Sequence, residues 1–547
     1  MTCSGQTRQA TVLDTLALIA VTLLSAAPYV ARLGFYSDDW DILGRFDAAA
    51  AQGRWPIAAI QQVSAARPVG GLYAAALYET FGRDPLGYHF VNTTVLAASV
   101  SLFYLLLARL RVGRAKAFAA ALLFVALPQL STIRVWFATF QVTLSLLLAL
   151  VSLHAQLSFA RSGKMRWAAL AVLAAALSLA AYEIFVPLLA GFAIALAVAA
   201  SRKRGVGTWR SMVIVALVMA ILALALAFKM STSSRAGALT HWDRYVAGAW
   251  QMVRPDYDWR VDSSLNVFAA IDVHFWRVAA GWGSAVADLA TGRLPLLAVA
   301  ASAAAAAMAF WRLRSAPAGE SRSVRLLLLG AAAFVLGHAL FLIVPAIVFT
   351  PTGMGNRVLV AAALGVAMIF AGVMAMAARA ISEGERTTAF AIFVAVASFL
   401  GILRLSTIEA YWAETPALQR SVLESARRDL ASVPAGSTVI LDGLCPYHGP
   451  AVVFETSWDT GPALSFALNR PVMADVVSPR TRITSSGIET SIYKQPASYQ
   501  FGPRLFAYDV RRHLVSPLPD RAAAHDYVAR RPPLRCPVGY VARGVPV

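Results

Sequence analysis

Asp38, Asp39 and Asp41 fall within four positions of one another in the stretch Gly34-Phe35-Tyr36-Ser37-Asp38-Asp39-Trp40-Asp41, just after a long apolar run. In a chain with 14% charged residues, that is a concentrated negative charge at the edge of an apolar segment. Carboxylates so placed suit two kinds of chemistry. One carboxylate can orient a hydroxyl and take its proton as a general base. A pair can hold a divalent cation such as Mg or Mn. Asp38 and Asp39 are therefore candidate catalytic residues, and Asp39 with Asp41 candidate metal ligands. The plainer alternative is a solvated loop in which Asp38 or Asp39 caps the helix that follows.

Other polar residues could work with this stretch. Arg67 precedes Pro68-Val-Gly-Gly71 and a helix-like run. His89 and Asn92, in Gly87-Tyr88-His89-Phe-Val-Asn92, lie one helical turn apart and share a face. They could bond a ligand or brace the aspartate loop. Arg357 follows Asn356 at the start of an apolar run. An arginine entering a membrane helix is costly unless it is paired or faces a cavity, and its guanidinium suits phosphate. A helix-end arginine reaching for water is the plainer reading. Glu183 is the only charge between Trp167 and Ala200, with a weaker case of the same kind. Asp256 and Asp258 form an Asp-x-Asp that reads as a solvated loop. No phosphate-binding glycine loop, dinucleotide fingerprint or His/Cys zinc pattern is found in the sequence.

The elements that must position these groups are membrane helices. The chain has 547 residues, 58% of them hydrophobic, and a mean hydropathy of +0.62. Repeated apolar runs of this length read as spanning helices. The net charge of +19 lies largely in short loops between apolar runs, the positive-inside pattern, and this argues against nucleic-acid binding. The N-terminal run does not read as a cleaved signal peptide. Spans are expected near 12–33, 88–108, 117–128, 136–159, 211–228, 294–311, 326–349, 358–378 and 388–405. The segment 167–200 sits between basic flanks, and as one helix would run about 51 Å against a hydrocarbon core of about 30 Å. It therefore reads as a hairpin turning near Ala181-Tyr182-Glu183. That makes about eleven spans in a module covering 1–405, with loops 34–87, 129–135, 181–184, 229–293 and 350–357 on the face opposite the basic loops.

Residues 406–547 change character, with more Pro, Gly and charge. Residues 417–432 read as an amphipathic helix, and Ser437–Leu441 and Ala451–Phe454 as strands. The expected fold is an all-α polytopic membrane protein with a small C-terminal extracytoplasmic α/β domain. Cys445 and Cys536 lie in that domain, while Cys3 is expected in the cytoplasm. Pairing of the first two is left open by their spacing.

The pattern resembles the GT-C glycosyltransferases, polytopic enzymes that use polyprenyl-phosphate-linked sugars. Arg67-Pro68 through Phe81-Gly82-Arg-Asp-Pro85-Leu-Gly-Tyr-His89-Phe-Val-Asn92 is similar to the corresponding stretch of membrane O-mannosyltransferases that carry tetratricopeptide repeats. Gly355-Asn356-Arg357-Val-Leu is similar to their Glu-Arg-Tyr-Leu segment. The similarity covers residues 34–140 and the short match near 357, and the C-terminal domain has no such repeat. It implies that Asp38, with Asp39 its close competitor, activates the acceptor and that Arg357 binds the donor phosphate. Those families often carry an acidic residue in the second outer loop. Here Gln129-Leu-Ser-Thr-Ile-Arg134 has none, so Arg134 is assigned to the phosphate instead. His89, Asn92, Arg67 and Glu183 complete the expected substrate-binding set. The resemblance implies sugar transfer to a hydroxyl of a cell-envelope glycan, lipid or protein, with inversion, on the outer face of the inner membrane. Two alternatives are a flippase or transporter for a lipid-linked solute, and a glycan polymerase or ligase using a diphosphate-linked donor.

Overall fold

The computed structural model describes residues 3–60, 64–202, 207–235, 267–290, 292, 294–315, 323–342, 349–491, 496–534 and 536. The Asp256-x-Asp258 motif lies outside them. Eight helices are long and apolar enough to cross a membrane: Arg8–Ala26, Pro85–Arg109, Phe137–Ser162, Glu183–Ser201, Leu296–Arg314, Ser323–Leu342, Met354–Ala380 and Arg386–Asp429. A bent pair, Arg114–Val125 with Pro128–Val135, makes a ninth, and shorter apolar helices cover Met165–Ala181 and Trp209–Ala225. Each of the eleven expected spans is thus helical. The expected hairpin is present, and its turn is the extended residue Tyr182 (φ −160°, ψ 141°).

Three of the boundaries that differ from expectation fall at prolines. The first helix stops at Ala26 rather than Leu33, because Pro28 disfavours helical backbone in the residue before it. Residues 129–135 are not a surface loop. The helix breaks at Pro128, and the chain turns by 55° back into the bundle, where Ser131–Val135 are all buried. The third difference lies at the domain junction. Residues 388–405 and 417–432 belong to a single helix, Arg386–Asp429, with Pro416 inside it. Proline has no N–H to give the carbonyl four residues back. That carbonyl, on Trp412, instead accepts the Tyr36 hydroxyl at 2.6 Å. The helix therefore runs unbroken out of the apolar segment, and its proline site becomes a dock for the aspartate loop.

Helices Ser323–Ala339 and Val360–Ala377 approach so closely that a Cβ on Gly337 would lie 2.4 Å from the Ala362 backbone. Small residues permit this kind of helix contact where no water drives association. At the basic end of the bundle, Asp14 of the first helix is buried (1% exposed). It accepts from Arg114 Nε (2.6 Å) and Nη2 (2.8 Å), from Arg312 Nε (2.8 Å) and Nη2 (2.5 Å), and from the Tyr104 hydroxyl (2.7 Å). One carboxylate thus ties four helices.

The C-terminal domain is built on β1 (Thr438–Asp442), β2 (Met473–Val476), β3 (Leu505–Asp509) and β4 (Leu514–Pro517) in the order β2-β1-β3-β4. Strand β1 runs parallel to both neighbours, with Thr438 opposite Met473 and Leu505. All five β1 residues are buried, as expected for a strand covered on both faces. Val439 and Leu441 join a core with Phe454, Leu464 and Ala426 of the long helix. Ile440 joins a second core with Leu518 and Ala524 of the helix Arg521–Ala529. Cys445 and Cys536 form a disulfide, with Cα atoms 5.6 Å apart.

Candidate active site

The aspartate loop is held residue by residue. Gly34 packs on Pro416, where a Cβ would meet the ring at 2.7 Å. Its carbonyl pairs with His89 Nε2 at 3.1 Å. Phe35 sits edge-on to Tyr88 (5.3 Å), Trp40 (6.1 Å) and Phe137 (6.2 Å). The Tyr36 carbonyl accepts from Trp136 Nε1 at 2.9 Å. Ser37 donates its hydroxyl to Glu455 Oε1 of the C-terminal domain at 2.5 Å. Ser37 also has φ 47° and ψ −121°, a backbone that costs a non-glycine residue free energy and persists only where its surroundings impose it.

Asp39 completes this clamp. It is fully buried, and its two oxygens accept the backbone N–H groups of Tyr36 (2.8 Å) and Ala138 (2.7 Å). Burial raises its pKa well above the ordinary carboxylate value. Asp39 therefore fastens the loop to the turn at Phe137–Thr139. Asp38 is placed differently. Its side chain lines a cavity of about 450 Å³ together with Asp41, Arg67, Trp136, Arg357 and Trp458.

Two of these residues bring positive charge. Arg67 forms a two-pronged pair with Glu183, Nε to Oε2 at 3.0 Å and Nη2 to Oε1 at 2.6 Å, and stacks on Tyr182 at 4.1 Å. The expected proximity of Glu183 to the aspartate side thus holds through Arg67, with Glu183 itself buried behind it. Arg357 lies over the Trp136 ring at 5.1 Å and donates Nη1 to the Met354 carbonyl at 2.8 Å. Both contacts are with uncharged groups. Asn356 points elsewhere, bonding Ser131 Oγ at 2.8 Å.

The remaining assignments separate. Arg134 is buried, ion-paired through Nε with Glu409 and bonded to Ser25 Oγ at 3.0 Å. It does not line the cavity that Asp38 and Arg357 share. The reason is the Pro128 break, which turns the segment into the bundle. His89 and Asn92 brace rather than line the cavity. His89 holds Gly34, and Asn92 Nδ2 donates to the Ile133 carbonyl at 2.8 Å. Two of the loop carboxylates already have partners. Asp39 is occupied by two backbone donors, Asp41 pairs with Arg45 at 2.8 Å, and no metal-holding group of three or more His, Cys, Asp or Glu occurs among the described residues. Sequence reasoning missed Trp136, Trp458, Glu409 and Glu455. Glu409 carried a readable signal, as a carboxylate just past an apolar run. Trp458 and Glu455 carried none, because only the tertiary fold brings them to the loop.

No protein-family model matches the chain, and no curated protein matches it. Among solved structures the chain is similar to ArnT from Cupriavidus metallidurans bound to undecaprenyl phosphate, at 14% identity over 86% of each chain, with a TM-score of 0.41. It is also similar to the arabinofuranosyltransferase AftD from Mycobacteria, at 17% identity over 85% of this chain and 33% of that one, with a TM-score of 0.39. The chain thus spans about a third of the length of AftD. With TM-scores below one half, neither likeness carries weight for the chemistry of this chain.

Proposed function

We propose that this chain is a membrane glycosyltransferase of the GT-C type, which moves a sugar from a polyprenyl-phosphate donor to an acceptor hydroxyl. The observation that carries the reading is one cavity, lined by a carboxylate, Asp38, and an arginine without a carboxylate partner among the described residues, Arg357. Asp38 takes the acceptor's proton while the acceptor oxygen attacks the anomeric carbon. The bond from that carbon to the phosphate oxygen breaks, and polyprenyl phosphate leaves with the electron pair. A single displacement of this kind inverts the anomeric centre. Charge grows on the departing phosphate, and Arg357 meets it there with a guanidinium suited to phosphate geometry. Arg67 adds less, since Glu183 already balances it.

A lipid-linked donor also fits the location. Arg357 stands in the first turn of a helix apolar enough to span a bilayer, Met354–Ala380, so a phosphate there can keep its prenyl tail in lipid. The basic loops lie at the other ends of the helices, and the positive-inside pattern supports an extracytoplasmic face of an inner membrane for the cavity and the C-terminal domain. The acceptor would be a cell-envelope molecule.

The test is a transfer assay on the purified chain in lipid nanodiscs, with polyprenyl-phosphate sugars as donors and an envelope extract as acceptor. Sugar transfer with release of the lipid monophosphate is expected, and Asp38→Asn lowers it by about 10²- to 10⁴-fold. Release of a diphosphate lipid, or full transfer by the Asn variant, would overturn the reading.

A further inference from the structure

We propose that His274 and His338 form a binding site for a zinc or copper ion, and that the ion ties two helices together behind the turn at Pro128. Such a site is independent of sugar transfer.

The chain has eight histidines, and two of them meet inside the bundle. His274 belongs to the helical stretch from Val267 to Ala290, in which Asp272–Trp276 form a wider, π-helical turn. Such a turn often marks a functional position. His338 lies on the helix Ser323–Ala339, one turn after Phe334 and on the same face. The two imidazole rings stand nearly perpendicular, with centres 5.1 Å apart. His274 is 0% exposed and His338 3%. Phe334 packs on both rings, at 5.5 Å from His274 and 4.7 Å from His338. Phe341 and Phe349 close on His338 at 6.2 and 5.4 Å.

A neutral imidazole has one N–H and one lone pair. His338 Nδ1 faces the Phe334 carbonyl at 3.1 Å, so Nδ1 carries the N–H and the lone pair sits on Nε2. That Nε2 is buried and has no hydrogen-bond partner among the described residues, and neither ring nitrogen of His274 has one. Buried polar atoms left unpaired cost free energy, and phenylalanine at both positions would fill the same space without that cost. An imidazole that gives its N–H to a backbone carbonyl and keeps its other nitrogen open is the common form of a metal-ligating histidine. Two imidazoles that share an ion at a tetrahedral angle, through bonds of about 2.0–2.1 Å, hold their ring centres about 5 Å apart. That is the separation of this pair. No third histidine, cysteine or carboxylate joins them among the described residues. The ligands are thus neutral nitrogens, which suit zinc and copper and not the oxygen-seeking Mg²⁺ or Ca²⁺.

The pair also stands behind the segment that carries Arg357. The carbonyl of Val273, next to His274, accepts Gln129 Nε2 at 3.0 Å. Gln129 follows Pro128, whose carbonyl accepts Asn356 Nδ2 at 3.3 Å, and Asn356 precedes Arg357. An ion shared by His274 and His338 holds the first of these contacts against the helix Ser323–Ala339.

The experiment uses the full chain in lipid nanodiscs, purified through a tag free of histidine and stripped with a chelator. Zn²⁺ alone and Cu⁺ alone, the latter kept reduced with ascorbate, are the probes. Equilibrium dialysis with elemental analysis is expected to show tight binding of at least one of them. The melting midpoint rises with it, since an ion held only by the folded chain stabilises that chain. His274→Phe and His338→Phe keep an aromatic ring in each place. Each is expected to lower the affinity for that metal by about 100-fold or more, because losing even a hydrogen-bond partner of a metal ligand costs about 10- to 100-fold. Each also removes the rise in midpoint. X-ray absorption at the metal edge of the unsubstituted protein needs no variant and counts the imidazoles on the ion: two are expected. Failure to bind either metal, binding that either Phe variant retains in full, or fewer than two imidazoles on the ion overturns the assignment and leaves a packed aromatic pair.

Discussion

Two clusters in this molecule pair carboxylates with arginines, and they differ in what is left over. At the basic end, Asp14 is surrounded by Arg114, Arg312 and Tyr104, and its two oxygens take five donor contacts. No room remains for a ligand. At the other end, Asp38 and Arg357 share the wall of a cavity of about 450 Å³. The groups that might have filled that space are engaged elsewhere: Glu183 holds Arg67, Glu409 holds Arg134, and Asp39 holds backbone. The same residue types build a structural knot in one place and line a cavity in the other.

Substitutions can break this contrast. The largest expected effect is that of Asp38→Asn, which lowers transfer by about 10²- to 10⁴-fold, the span of a lost general base, with thermal stability unchanged. Asp14→Ala should do the reverse. Removing one partner from a buried ion cluster costs about 3–5 kcal/mol, seen as a lower melting midpoint and poorer yield, while each folded molecule keeps its transfer rate. Arg357→Ala is expected to weaken donor use by about 10- to 100-fold, from roughly 1.5–3 kcal/mol for a charged hydrogen bond. Arg357→Lys should recover only part, because it lacks the planar fork. A stability loss on Arg357→Ala as large as that on Asp14→Ala would erase the contrast.

The smallest effect concerns pH. Burial raises the Asp39 pKa above the ordinary carboxylate value, so the folded protein keeps a proton that the unfolded chain has released. The stabilisation is full below about pH 4 and is lost as pH rises through the folded-state value. Asp39→Asn removes it. The variant's melting midpoint should therefore fall further below that of the unsubstituted protein at pH 5 than at pH 7.5. A deficit that shrinks on acidification would mean that Asp39 folds with a lowered pKa.

Much of the helical bundle was legible because apolar length and loop charge act locally. Helices and hairpin follow from runs that can be counted along the chain. Asp38, Arg67 and Arg357 stood out as charged residues at helix ends, and the fold brings all three to one cavity. The placements that the sequence did not show share a cause. Asp39 and Asp38 are adjacent and identical in type, and only the folded turn bonds Asp39 to backbone and sets Asp38 on the cavity lining. Arg134 looked free because its partner lies 275 positions away, on the helix that also docks Tyr36. Proline effects were the readable part left unread. Pro28, Pro128 and Pro416 each moved a boundary for a reason that the residue itself states.

The most direct test of the central claim is a structure of the chain with undecaprenyl phosphate bound. The phosphate is expected within about 3 Å of the Arg357 guanidinium, inside the cavity that Asp38 lines, with the prenyl tail leaving toward the apolar helices. A phosphate bound away from that cavity, with Arg357 still over Trp136 and bonded to Met354, would contradict the claim.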